Sequence, residues 1–184
     1  MANLVSWEFT QLPTDVIDIL EKDIKEFDPT VKQSGLMGEK IDLQIRNSEN
    51  SWISTSHWIG GWLWYYVSKT NRENFLYDIV DIDGGSLQYT HYNEGQFYNW
   101  HQDGMDNRML TIIWYLNDID EDGYTEFYTG LKIQPKMGKI LMFPALWPWI
   151  HRGYPPKYET KYICTGWIRN ISEGEVINRG EQSE

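Results

Sequence analysis

Apolar residues recur with helical spacing in the N-terminal part of the chain and with strand spacing in the rest. Val16, Ile17, Leu20, Ile24 and Phe27 fall three and four apart, so Pro13 to Phe27 is predicted as an amphipathic helix with Thr14 as candidate cap. Residues 28–56 are polar and irregular, apart from a candidate strand at Lys40–Arg46. Trp58, Ile59, Trp62, Leu63, Tyr66 and Val67 return to helical spacing through Gly60-Gly61 and predict a second, longer helix. Its aromatic stripe is read as core packing. Asn71–Ile79 is expected to continue it as a third helical piece.

From about residue 80 the texture changes. Short runs rich in Tyr, Ile, Thr and Trp appear at Leu87–Tyr92, Gln96–Trp100, Leu110–Leu116, Thr125–Tyr128, Lys132–Gln134, Lys139–Phe143 and Tyr162–Ile168. Turn signals separate them: Asp83-Gly84-Gly85, Asn93-Glu94-Gly95, Asp120-Glu121-Asp122-Gly123 and Lys136-Met137-Gly138. Many short strands at such spacing predict a β-sandwich or jelly roll, mainly β. Helices precede strands, so the N-terminal α-helices are expected to pack on one sheet face. At 184 residues the chain reads as a single domain, 1–184. Within it, 1–80 supplies helical support and substrate-side loops, 81–170 the catalytic core and 171–184 a polar tail.

Composition narrows the class. A hydrophobic content of 41% supports a packed core and excludes a disordered chain. A net charge of −11 disfavours nucleic acid, whose phosphates call for clustered Lys and Arg, and permits a basic peptide or protein partner. Cys164 is the only cysteine, so no disulfide forms within the chain and a reducing compartment is expected. Met1 to Trp7 shows no basic segment followed by a long apolar run, and no apolar stretch approaches the ~20 residues of a membrane span. No membrane association is expected, and the localisation expected is cytoplasmic.

The chemistry concentrates at His101-Gln102-Asp103, His151 and Lys161. Residues two apart on a strand point to one side, so His101 and Asp103 can reach one metal. His151 must be brought in by the fold. Two imidazoles and a carboxylate that leave one side of a metal open form the ligand set of non-heme Fe(II) oxygenases. The motif alone is weak in a chain with 4 His and 27 Asp+Glu. A structural zinc site would close with a fourth ligand, and Cys164 is the one soft candidate. On an extended strand Lys161, Ile163, Thr165 and Trp167 share one face, and Cys164 points the other way. A lysine facing inward asks for an anion, whereas a lysine at a strand end can also simply reach solvent. Tyr115, with Thr111 and Ile113 on one face of its strand, is placed to share that anion.

From residue 87 to 168 the chain resembles the Fe(II)- and 2-oxoglutarate-dependent prolyl hydroxylase family, of the collagen-type and microbial prolyl 4-hydroxylase kind. The likeness is carried by Leu87-Gln88-Tyr89 and Tyr92-Asn93-Glu94-Gly95-Gln96-Phe97-Tyr98-Asn99-Trp100-His101-Gln102-Asp103. It continues through Arg108 to Asn117, Gly123-Tyr124-Thr125-Glu126-Phe127 and Pro135 to Phe143. His151-Arg152-Gly153-Tyr154-Pro155 and Lys161 to Ile168 complete it, with Arg46-Asn47-Ser48 as a weaker upstream match. Asp122-Gly123 stands where many relatives have Gly-Gly.

The resemblance implies a double-stranded β-helix (jelly-roll, cupin-like) core. It implies His101, Asp103 and His151 as iron ligands and Lys161 as partner of the distal carboxylate of 2-oxoglutarate. Tyr115 and Tyr92 join Lys161 at the co-substrate. Tyr98, Trp167, Arg108 and Thr165 line the substrate pocket. Fe(II), 2-oxoglutarate and O2 are the implied cofactor and co-substrates, with ascorbate a candidate accessory reductant and succinate and CO2 as co-products. The implied partner is a proline-containing peptide or protein. The rivals are the same chemistry on a free amino acid or other small molecule, and a catalytically silent jelly-roll binding module. Loops 28–56, 91–99 and 145–158 are expected at the substrate rim, where Trp147, Pro148, Trp149, Tyr154 and Tyr158 could stack on a proline ring.

Overall fold

A computed structural model of the chain describes residues 5–27, 32–34, 41–54, 56–77, 86–105 and 107–169. In chain order the strands are β1 (Ser6–Phe9), β2 (Lys32–Gln33), β3 (Arg46–Asn47), β4 (Glu49–Ser54), β5 (Ser86–Tyr92), β6 (Phe97–His101) and β7 (Arg108–Tyr115). They continue with β8 (Thr125–Phe127), β9 (Lys132–Ile133), β10 (Lys139–Pro144), β11 (His151–Gly153) and β12 (Lys161–Arg169). Helix α1 (Val16–Phe27) lies between β1 and β2, and α2 (Trp58–Thr70) between β4 and β5. The strands form two antiparallel sheets, a seven-stranded one in the order β1-β10-β7-β12-β5-β4-β2 and a five-stranded one in the order β3-β6-β11-β8-β9. The fold is thus mainly β, as expected.

The central strands of the large sheet, β7 and β12, are buried on both faces, which explains the near-continuous apolar run of β7. Leu110, Ile112 and Trp114 of that strand face the helices, packing with Val16, Leu20 and Ile24 of α1 and Ile59, Leu63 and Val67 of α2. Ile113 and Tyr115 face the other way, into a second cluster with Phe127 and Ile133 of the small sheet. Strand β12 divides likewise: Cys164 and Ile168 lie in the helix-side core, Ile163 in the inter-sheet core. The inferred register of that strand therefore holds.

Several expectations need correction. The first helix starts at Val16, after a turn in which the Val16 N–H donates to Pro13 O at 3.1 Å. The aromatic stripe of α2 is not all core. Ile59, Leu63 and Val67, four apart, form a fully buried seam, while Trp58 and Trp62 sit to one side of it and remain 38% and 46% exposed. The expected third helical piece is a single π-helical turn, Asn71–Phe75, closed by Leu76 at φ 59°. The Asn71 side chain stops it, donating to Tyr77 O at 2.8 Å and accepting the Tyr77 N–H at 3.1 Å.

The N-terminal part is also more than helices and loops. It supplies β1 at one edge of the large sheet, β4 and β2 at the other, and β3 at the edge of the small one. Of the candidate strand Lys40–Arg46 only Arg46 is in a strand, while Lys40 lies outside the described residues. The Asp83-Gly84-Gly85 separator, the end of Asn71–Ile79 and residues 171–184 also lie outside them.

Leu63→Ala is expected to cost about 2–5 kcal/mol, because it empties a fully buried site between α2 and the sheet. Trp62→Ala, one residue away on the exposed side, should cost a small fraction of that. Urea titrations of the two variants check the pair.

Candidate active site

Between the sheets lies a cavity of about 450 Å³. Its walls come from the inner faces of β5, β7 and β12 on one side and from β6 and β11 on the other. His101 is the last residue of β6 and His151 the first of β11, and the two face each other directly across that strand pair. This pairing brings the second histidine to the first, which the sequence spacing could not do.

Asp103 follows after β6 has ended, so the strand alternation invoked for it does not apply. It is aimed instead by a hydrogen bond from Thr111 Oγ1 to its Oδ2 at 2.7 Å. Nε2 of His101 lies 3.6 Å from Asp103 Oδ1 and Nε2 of His151 lies 3.7 Å from Oδ2. One ligand atom from each of the three residues falls within 4.8 Å of the others.

Both imidazoles are turned by backbone carbonyls. His101 Nδ1 is 2.7 Å from Asn99 O and His151 Nδ1 is 3.1 Å from Trp149 O. A carbonyl only accepts, so each Nδ1 carries the proton and each Nε2 presents a lone pair. Burial and the neighbouring His151 hold the His101 imidazole well below its ordinary pKa range, against the pull of Asp103. Burial pushes the Asp103 carboxyl up, but the positive charge that either imidazole brings when protonated and the Thr111 hydroxyl outweigh it and hold it below the usual range. Neutral imidazoles and an ionised carboxylate are the forms that bind a metal.

Strand β6 carries a bulge. His151 pairs with His101 and Gly153 with Tyr98, so three steps on β6 match two on β11. Strict alternation would turn Tyr98 away from His101; the extra residue brings both inside. Their rings stack with centroids 3.6 Å apart.

Lys161 is 2% exposed and lines the cavity. No carboxylate among the described residues pairs with it. The rings of Tyr92 and Tyr115 lie 5.2 and 5.9 Å from its Nζ. Burial pushes its amine down to about 7.

Tyr115 itself stands one layer back. It is fully buried, does not line the cavity, and donates its hydroxyl to Thr125 Oγ1 at 2.7 Å. Thr125 is the residue that reaches the cavity.

Tyr92, Tyr98, Arg108, Thr165 and Trp167 all line the cavity. Arg108 lies over the Trp167 ring, its guanidinium carbon 4.1 Å from the centroid. The Trp167 indole N–H lies near enough to Asp103 to favour its ionised form, without a well-aligned hydrogen bond to it.

The rim agrees with expectation in its loops, 28–56 supplying Ile45, Arg46 and Trp52 and 91–99 supplying Tyr92 and Tyr98, and differs in its aromatics. Trp147, Pro148, Trp149, Tyr154 and Tyr158 do not line the cavity. Trp149 packs on Phe127 and Tyr154 stacks on Tyr124, while Trp147 and Tyr158 are exposed. Ile45, Arg46, Trp52 and Met105 take that place. Arg46 was legible through the Arg-x-Ser match. Trp52 carried no signal, because its strand β4 is formed by pairing with β5 and not by an apolar run of its own.

These residues fit a divalent metal and an anionic ligand. The donor set is two locked imidazoles and a carboxylate, and the cavity wall beside it holds a buried amine with no counter-ion among the described residues. Two imidazoles and one carboxylate are a donor set that can leave one face of a metal open to further ligands.

Residues 87–169 match the family model of the 2OG-Fe(II) oxygenase superfamily. The chain is 29% identical over 153 residues to a putative prolyl 4-hydroxylase of Acanthamoeba polyphaga mimivirus, covering 70% of this chain and 60% of that protein. The fold matches the viral collagen prolyl hydroxylase of Paramecium Bursaria Chlorella virus-1 in its 2OG complex, with TM-score 0.68 and 24% identity over 92% of this chain and 97% of that one. It also matches a prolyl hydroxylase from Trichoplax adhaerens in complex with a hypoxia inducible factor peptide, with TM-score 0.75 and 20% identity over 91% and 84%. The likeness to the 2OG-Fe(II) oxygenase superfamily covers residues 87–169, and the chain is similar in sequence and fold to prolyl 4-hydroxylases. It spans 60% of the length of the mimivirus protein and 56% of that of the Arabidopsis thaliana relatives labelled probable prolyl 4-hydroxylases 10, 3 and 8.

The buried amine of Lys161 makes the ligand-free protein pH-sensitive. Its folded pKa is depressed to about 7 from 10.5, so the unfolded chain binds more protons between those values and stability rises with pH across that window. Below about pH 7 the cost of burying the charge is fully present. Lys161→Met should therefore raise Tm, most at pH 6 and progressively less towards pH 10. A Tm difference independent of pH would contradict the assignment.

Proposed function

We propose that the chain is an Fe(II)- and 2-oxoglutarate-dependent dioxygenase, built on a double-stranded β-helix core, that hydroxylates a prolyl residue in a peptide or protein. The observation that carries this reading is the pairing of two tautomer-locked imidazoles and Asp103 with a buried Lys161 that has no carboxylate partner among the described residues. It is supported by the superfamily match and by the prolyl hydroxylase likenesses in sequence and fold.

Bound Fe(II), with 2-oxoglutarate and O2, supplies oxidation of a C–H bond to C–OH, with succinate and CO2 as co-products. His101 and His151 would hold the metal through Nε2 and Asp103 through a carboxylate oxygen, with the cavity beside them to take the co-substrate. Thr111 keeps the carboxylate from turning away. Lys161 Nζ pairs with the distal carboxylate, a charge-assisted contact worth roughly 1.5–3 kcal/mol. Thr125 accepts its hydrogen bond from Tyr115, so its own hydroxyl proton is free to donate to the same carboxylate. The sequence-based role of Tyr115 thus passes through Thr125. Ile113 and Ile163 provide apolar wall that excludes water, and Trp52 and Trp167 flat surface for a prolyl ring.

His151→Ala should abolish succinate formation from 2-oxoglutarate with Fe(II), and retained turnover would sink the ligand assignment. Lys161→Ala should mainly raise the apparent KM for 2-oxoglutarate. The substrate class is tested by mass spectrometry of proline-containing peptides against free proline. A gain of one oxygen on peptidyl proline is expected, and oxidation of the free amino acid alone would overturn the peptide reading.

A further inference from the structure

The two histidines of the site are held differently. His151 has only 5% of its side chain exposed and is packed against Phe143 and Phe127, with ring centroids 4.8 and 5.9 Å away. His101, with 14% of its side chain exposed, lacks such a nest. Its Nδ1 hydrogen bond to Asn99 O fixes one direction in the ring plane. A single bond of that kind still lets the ring tilt about the bond axis, which swings Nε2 away from Asp103.

Tyr98 blocks that tilt. Its ring lies on the His101 ring with centroids 3.6 Å apart and planes inclined by only 13°. The far side of Tyr98 is closed by Arg46, whose guanidinium carbon lies 4.6 Å from the ring centroid. Arg46 is itself buried and pinned, donating from Nε to Ser48 Oγ at 3.1 Å and from Nη2 to Gln88 Oε1 at 2.8 Å. The order is therefore guanidinium, phenol, imidazole, with the outer layer anchored to β5 and the inner one aimed at the site. The bulge in β6 makes the contact, because without it Tyr98 and His101 would face opposite ways.

We propose that Tyr98 is a positioning residue for the metal centre: its flat face, backed by Arg46, holds the His101 imidazole in the orientation in which Nε2 meets the metal. The role belongs to the ring, not to the phenol hydroxyl, and it is separate from any contact Tyr98 makes with substrate. It rests on the metal reading of His101, Asp103 and His151.

The test is Mn(II) binding to the metal-free protein by titration calorimetry, without 2-oxoglutarate or substrate, so that substrate contacts play no part. Tyr98→Leu keeps bulk but loses the flat face and should weaken Mn(II) by about 10- to 100-fold, while Tyr98→Phe keeps the face and should stay within about threefold of wild type. Thermal melting of the metal-free variants accompanies the titrations, and the loss in Tyr98→Leu is expected with Tm close to wild type. Unchanged Mn(II) affinity in Tyr98→Leu, or an equal loss in Tyr98→Phe, would overturn the role of the stack while leaving the metal reading intact. Wild-type protein that binds no Mn(II), or a His101→Ala variant that binds it as well as wild type, would overturn the metal reading itself.

Discussion

The pairing of His101 with His151 across β6 and β11 is the contact on which the site depends. It joins residues 50 positions apart in the chain and sets their imidazoles 4.3 Å apart, centroid to centroid. Everything around it keeps the two rings converging. Backbone carbonyls fix their tautomers, and Thr111 reaches over from the opposite sheet to aim Asp103 between them. The small sheet thus supplies the histidines, and the large sheet supplies the hydroxyl that steers the carboxylate. The inter-sheet core of Phe127, Phe143, Leu141 and Ile163 holds the two sheets at the separation this requires.

Much of this was legible in the chain. Leu110–Leu116 and Tyr162–Ile168 are strands buried on both faces, and their apolar runs show it. The alternation along Lys161, Ile163, Thr165 and Trp167 correctly separated the cavity face from Cys164 on the helix side. What the pattern could not carry was set by pairing at long range. Strand β4 is Glu49-Asn50-Ser51-Trp52-Ile53-Ser54, poor in strand-forming residues, and it is extended because β5 offers it a full ladder. Strand β11 is three residues long and owes its existence to β6 and β8 on either side. The period-two rule also failed at the bulge, where one extra residue places Tyr98 and His101 on one face.

The charges are distributed against the overall balance. The chain carries −11, yet Arg46, Arg108 and Lys161 line the cavity, with Asp103 as the one carboxylate among its described lining residues. Arg46 and Arg108 are each laid against an aromatic ring, Tyr98 and Trp167, which lets a cation sit in a partly dry wall at lower cost. Lys161 has two aromatic rings near it but no acceptor among the described residues, and its depressed pKa records the difference. The same cavity wall therefore contains cations that the fold has settled and one that it has not.

That unsettled amine has a consequence for how the protein is held together. On the proposed reading, the distal carboxylate of the co-substrate is the counter-ion that the polypeptide lacks, so the small molecule completes the interior as a side chain would. Its concentration then enters the folding equilibrium directly, by mass action. The resistance of this chain to unfolding would track the supply of a central metabolite, quite apart from any turnover.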